Sequence, residues 1–286
     1  MTIRLDTPED TTPVLGALRD WQREGLPVQL HPGDVGWYRR FGAAETAADL
    51  RTWSRGGTIL AVALLDGPGL ARIATAPEAR RDEALAAQIA DDLADTGRGV
   101  LPEGDADVEA PADALLREVL AARGWTPGEA WTPLHRSLAE PVEDPGIRVE
   151  TVDAGTADAY AAIVRASFKG STFDADRWHA LAAGPAYADA RSLLAYDGDA
   201  PAAAVTVWSA GPGRPGLVEP LGVAPDHRGK GLGRAITVAG CAVLRELGAT
   251  GVEVVTPTDL PGAVATYRSA GFAPGAERRD LCRPAE

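Results

Sequence analysis

The chain has 286 residues, 45% hydrophobic and 24% charged, with a formal net charge of −13, a globular composition long enough for two domains. That acidity argues against nucleic acid as the main partner, because a phosphate backbone calls for clustered cations; it agrees with steering of cationic amines, and equally with a merely soluble surface. Two cysteines are too few for a disulfide framework, no secretory h-region opens the chain, and no apolar run approaches bilayer length, so a cytoplasmic protein without a membrane partner is expected.

In chain order, a strand opens at IRLDTPED (from Ile3) and a short Trp-bearing helix follows at GWYRRF. Trp37, Tyr38 and Phe41 of that helix suit either an acceptor pocket or an apolar stripe packed in the core. The stretch LAEPVEDPGIRVE, from Leu138 to Glu150, sets Pro141, Pro145 and Gly146 among acids and reads as a linker. Beyond it come a strand at IRVETV, a helix at TADAYAAIVRASF and a second Trp-bearing helix at DRWHAL. Strands follow at SLLAYDG, AAAVTVWS and GLVEPLGVAP. RAITVAGCAVLRELG is a long helix ended by Gly248, VEVVT a buried strand, PGAVATYRSA a helix ended by Gly271, and ERRDLCRP a last strand.

The second half echoes the first. IRVETVDAG repeats IRLDTPED at an offset of 144, VAPDHRGKGLGRAITVAGC repeats TAPEARRDEALAAQIADDL at 148, and YRSAGFAPGAER repeats LAARGWTPGEAW at 147. Three anchors in one order at nearly constant spacing indicate an internal duplication. We therefore expect two tandem α/β (α+β) domains, 1–140 and 147–286, each a mixed sheet flanked by helices.

HRGKGLGRAI, from His227, carries the clearest chemistry. It is not a Walker loop, because Ala224 and Gly231 stand where Gly and Ser or Thr are required. Nor does it match the dinucleotide fingerprint, whose third glycine falls on Arg234 or Ile236. What remains is R-x-x-G-x-G, Arg228 to Gly233, entering a helix. Glycines there let backbone N–H groups converge on an anion at a helix N-terminus, with Lys230 or Arg234 adding positive potential. A pyrophosphate is the natural guest; a tight turn alone is the structural alternative.

This loop, with ATYRSAGF 40 residues further on (Gly231 to Gly271), resembles the GCN5-related N-acetyltransferase superfamily. The likeness covers the second half closely and the first in outline, a tandem layout similar to that of mycothiol synthase. It implies splayed central sheets, acetyl-CoA as cofactor, and acetyl transfer to a primary amine by direct attack in a ternary complex. The implied cofactor-binding residues are Leu221, Val223, Arg228, Gly229, Lys230, Gly231, Leu232, Gly233 and Arg234. Glu219 is the implied base, with a strand-end ion pair as its alternative role, and Tyr267 the implied acid, with a core Tyr as alternative. Phe173 and Trp178 lie on the segment that borders the acceptor in this superfamily. Leu260 stands where the family often has an Asn that bonds the pantetheine arm.

Threading the first half onto the loop puts Arg80, Arg81, Asp82, Glu83 and Leu85 at the places of Arg228, Gly229, Lys230, Gly231 and Gly233. Glu83 sets a carboxylate where a phosphate oxygen belongs, and Ala71 and Leu120 replace Glu219 and Tyr267. The first domain is therefore expected to bind no acetyl-CoA. The acceptor is read as a small-molecule or peptide amine, the assembly as a monomer or homodimer, and no metal spacing is present. Two other readings stand beside the main one: acetylation of a cysteinyl thiol-sugar conjugate, and a non-catalytic acyl-CoA-binding sensor.

Overall fold

Runs of small and β-branched apolar residues become strands here, and stretches with apolar residues at helical spacing become helices. The computed structural model describes residues 2–283. Its first half contains strand β1 (Ile3–Asp6), helices α1 (Thr12–Trp21), α2 (Pro32–Tyr38) and α3 (Ala43–Ala48), and strands β2 (Leu50–Arg55), β3 (Thr58–Leu65) and β4 (Leu70–Thr75). Helix α4 (Glu83–Ala94), strand β5 (Asp107–Glu109), helix α5 (Leu115–Ala122) and the long strand β6 (Thr126–Ser137) complete it. The second half runs β7 (Val149–Thr151), α6 (Ala157–Ser167), α7 (Ala175–Ala182), β8 (Ala190–Asp197), β9 (Ala200–Trp208) and β10 (Gly216–Val223). It ends with α8 (Leu232–Glu246), β11 (Gly251–Pro257), α9 (Pro261–Ser269), β12 (Ala273–Pro274) and β13 (Arg278–Cys282).

These elements form two compact units. The first takes the residues up to His31, Ala44–Trp131 and those from Glu277 onward. Its strands run β1-β2-β3-β4-β5-β13-β6, with β4 and β5 parallel and the other pairs antiparallel. The second takes Pro32–Ala43 and Thr132–Ala276. Its strands run β6-β11-β10-β9-β8-β7, with β10 and β11 parallel and β12 paired to the end of β6.

The unit boundaries depart from 140 and 147 in three segments, which carry α2, the end of β6 and β13. Helix α2 belongs to the second unit because its apolar stripe is covered there. Gly36 sits so close to the Trp208 ring and Ala186 that a Cβ has no room, and Trp37 stacks on Phe173 with centroids 5.0 Å apart. The strand within ERRDLCRP belongs to the first unit, where β13 fills the place between β5 and β6. Strand β6 itself begins in the first unit and ends in the second. Shifting the pair Thr126↔Cys282 by the repeat offset of 147 gives Ala273↔His135 with the members exchanged. The two pairs of last strands are thus related by the same offset as the sequence echoes.

In the second unit, α8 lays Ile236, Cys241 and Leu244 against Val205, Val207, Val252 and Val254, all buried. Each such aliphatic side chain contributes about 1.5–3 kcal/mol on burial. Helix α6 covers other residues of β9, where Tyr160 Oη and Thr206 Oγ1 share a hydrogen bond of 2.6 Å. With two helical layers holding β9 and β10, the end of β10 is a fixed platform.

Candidate active site

Along β10, Leu221 and Val223 are half-buried while Gly222 between them is buried, so these two share a face; Glu219, also half-buried, lies within the register shift that precedes them. Leu221 and Val223 pack toward the core that contains α8 and Tyr267. Opposite them, Gly222 lies against Ser167 of α6.

The ladder between β10 and β11 pairs Gly216 with Val252 and Leu217 with Glu253, and goes no further among the described residues. The pairing with β9 continues to Val223, through a register shift between Val218 and Leu221. From Val218 onward, then, the two parallel strands diverge and β10 presents an unladdered edge. The amide of Ala224 donates to Ala202 O on the β9 side at 2.9 Å. Backbone groups alternate along a strand, so the amide of Val223 points the other way, into the opening.

At the end of β10 a turn at Pro225–His227 leads to the glycines. Gly229 and Gly231 have φ of 76° and 81°, the left-handed region that only glycine enters cheaply. Gly231 is the N-cap of α8, with no side-chain cap and no acid in the first helical turn. The first amides of a 15-residue helix therefore face outward with the positive end of its dipole. A Cβ at Gly233 would lie 3.0 Å from Thr266 Cγ2 and 3.5 Å from Val223 Cγ2, so glycine lets α8 approach both β10 and α9. Leu232, by contrast, is buried in the core and serves as an anchor.

The basic side chains divide. Arg228 Nε donates to Val223 O at 3.2 Å, on the rim of the loop. Lys230 Nζ donates to Asp197 Oδ2 at 2.7 Å, and His227 Nδ1 lies 2.9 Å from the same oxygen. Arg234 donates to Ser269 O at 2.9 Å and to Glu143 at 3.2 Å, so it ties α8 to the end of α9. Asp197 is absent from the sequence reading, and no motif marks it.

Tyr267 of α9 is 8% exposed and lies against Phe272, ring centroids 5.7 Å apart. Burial, and then the Glu219 carboxylate, raise the phenol pKa above its ordinary value, so the hydroxyl keeps its proton at neutral pH. The Glu219 carboxylate on β10 and the Tyr267 phenol on α9 are thus electrostatic neighbours. Trp208 Nε1 donates to the carbonyl of Glu219 at 2.6 Å and fixes that stretch of backbone.

Phe173 and Trp178 are not contact surfaces. They are 2% and 5% exposed; Phe173 is covered by Trp37, and Trp178 donates to Ser192 Oγ at 3.2 Å. Their aromatic bulk is used for core packing. Leu260, 51% exposed, is the N-cap of α9 and supplies no side-chain cap.

The corresponding helix of the first unit supplies its own anion. Asp82 is the N-cap of α4 and accepts from the amide of Leu85 at 2.9 Å. Arg55 grips the same carboxylate at 2.6 and 3.1 Å and, with the Leu85 amide, holds its pKa down to about 2. The acid that closes this helix end is Asp82, while Glu83 is exposed as the first helical residue. Arg80 is buried against Asp113, and Leu115 N donates to Arg80 O at 2.8 Å, which fastens α5 to this turn.

An unladdered strand edge ending in a glycine turn and a bare helix N-terminus is an arrangement that suits an acyl-CoA-dependent acyltransferase. A family model described as the acetyltransferase (GNAT) family matches residues 158–272. A mycothiol acetyltransferase of Nocardia farcinica is 34% identical over 73% of this chain and 72% of its own length. The chain belongs to the GNAT acetyltransferase family; it is an acyltransferase, with acetyl-CoA as donor. The same fold occurs in a GCN5-related N-acetyltransferase from Sphaerobacter thermophilus, with TM-score 0.59, 18% identity, and coverage of 99% of this chain and 97% of that one. It also occurs in a tandem GNAT protein of the clavulanic acid biosynthesis pathway, with TM-score 0.59, 18% identity and full coverage of both chains. No helix among the described residues is long and apolar enough to cross a membrane.

Proposed function

We propose that the chain acetylates a primary amine of a small-molecule or peptide acceptor, using the site on β10, α8 and α9, by direct attack in a ternary complex. The observation that carries this reading is the coincidence of three features at one strand end: the unladdered edge with the Val223 amide, the Gly229–Gly231 cradle, and the Glu219–Tyr267 couple. The fit to the donor is physical. The φ angles of Gly229 and Gly231 admit no side chain cheaply, which leaves the α8 amides open to a pyrophosphate, and the unladdered β10 edge suits an extended amide-bearing arm.

Acetyl-CoA, when bound, supplies an activated thioester. The Val223 amide then offers a hydrogen bond where negative charge develops on a carbonyl oxygen. Glu219 takes a proton from the acceptor ammonium, directly or through water, and so frees the amine lone pair. Tyr267 holds its proton at the phenol oxygen and is the donor for a leaving thiolate. Leu221 and Val223 line the arm, Arg228 and Lys230 add positive charge at the cradle, and Arg234 keeps α9 in place.

Following thiol release across a panel of amines tests the proposal. Turnover on at least one amine, lost in Glu219→Gln, is the expected result; tight coenzyme binding with no turnover on any amine would favour an acyl-CoA sensor. The mycothiol acetyltransferase relative supports a narrower acceptor, the cysteinyl amine of a thiol-sugar conjugate, which is the first compound to include. We further propose that the first unit binds no acetyl-CoA, supported by Asp82 occupying its helix N-terminus, and that the protein acts in the cytoplasm as a monomer or homodimer. Calorimetry should find one coenzyme site per chain.

A further inference from the structure

We propose that Asp197, at the end of β8, is a positioning residue that holds the glycine loop in its coenzyme-receiving form by bracing Lys230 and His227. The inference rests on the reading that this loop receives the phosphates of acetyl-CoA. One carboxylate oxygen, Oδ2, accepts from Lys230 Nζ at 2.7 Å and lies 2.9 Å from His227 Nδ1. These side chains stand on either side of Arg228 and Gly229, so a single atom spans the part of the loop where the backbone is most permissive. The bond from Ala224 N to Ala202 O fixes where the loop begins, and Ala235 N to Gly231 O marks where the helix takes over. Between these points lie two glycines with left-handed φ, residues that lose the most conformational entropy when ordered. Hydrogen bonds from Lys230, then from His227, lower the Asp197 pKa and favour its carboxylate form.

The sign of the effect separates positioning from plain electrostatics. A carboxylate beside a phosphate site repels the ligand, and its removal frees a lysine charge; on that ground alone Asp197→Ala should bind CoA more tightly. A brace predicts the reverse, because the loop must be ordered again at each binding event.

The test is calorimetric titration with CoA, alongside steady-state kinetics on an active amine. Asp197→Ala should weaken CoA binding about three- to tenfold, the range for loss of an exposed charged hydrogen bond. It should raise KM for acetyl-CoA by the same factor, leaving kcat and the acceptor KM within twofold. Asp197→Asn, which keeps an acceptor oxygen, should fall between. Lys230→Met combined with Asp197→Ala should lose less than the product of the two single losses. Unchanged or tighter CoA binding in Asp197→Ala overturns the proposal. Gly231→Val separates the two layers: if it abolishes CoA binding while Asp197→Ala does not weaken it, only the brace fails. If Gly231→Val binds CoA normally, the loop reading fails, and the brace with it.

Discussion

At the residue scale, burial decides what each side chain can do. Burial, and then the Glu219 carboxylate, oppose ionisation of the Tyr267 hydroxyl and raise its pKa further above neutrality. Tyr267→Phe keeps the packing against Phe272 and removes only the proton; kcat should fall about a hundredfold while CoA affinity by calorimetry stays within twofold. Asp280 is a second buried acid, on β13, which accepts from Trp131 Nε1 at 2.9 Å. Burial, then the Glu109 carboxylate, push its pKa up to about 6. A carboxyl with a raised folded pKa binds protons more readily in the native state, so its penalty is present above pH 6 and fades as pH falls toward its unfolded value. Asp280→Asn should therefore raise the melting temperature at pH 7.5 by about 2 °C or more, with the gain vanishing near pH 4. The strand that carries Glu219 and the helix that carries Tyr267 were legible in the sequence, as the runs GLVEPLGVAP and PGAVATYRSA. Asp197 was not: it meets Lys230 from 33 positions away, through a turn with no distinctive pattern.

At the element scale, the two corresponding helices α8 and α4 differ in what stands at their N-termini. Helix α8 begins at a bare glycine N-cap, and α4 begins at Asp82, paired with Arg55. The threading anticipated an acid in this turn but placed it at Glu83, because an N-cap is set by backbone angles that residue matching does not reveal. Helix α9 lacks a cap, since Leu260 stands at that place. Leu260→Asn should stabilise the protein by about 1 kcal/mol, measurable by denaturant titration at constant m. The aromatic assignments show the opposite limit of sequence reading. A Trp at helical spacing predicts a buried stripe, and Trp178 and Phe173 are buried; the pattern cannot say that Trp37, from the other half of the chain, is what covers Phe173.

At the scale of the whole molecule, the duplication was legible as spacing, but the compact units are not the two repeats. The second unit needs residues 32–43 and the end of β6, and the first needs β13. The periodicities that identify elements are local, whereas the sheet that houses a strand depends on which edge it completes. Expressing 1–140 and 147–286 separately should give two poorly folded fragments, with weak amide-exchange protection in β5 and in α7, the elements that lose β13 and α2. Mixing the two fragments should restore protection, and cooperative unfolding of either fragment alone would contradict the interlock.

The register of the last strands bears on the fate of gene duplicates. A copy that has lost its ligand is ordinarily free to be deleted. Here the first repeat carries Asp82 at the helix end that corresponds to the start of α8, and it also supplies α2 and the strand β6 to the second unit. The framework of the second unit draws on helix α2 and strand β6 from the first half of the chain, so a deletion that removes that half also removes part of the second unit's own fold.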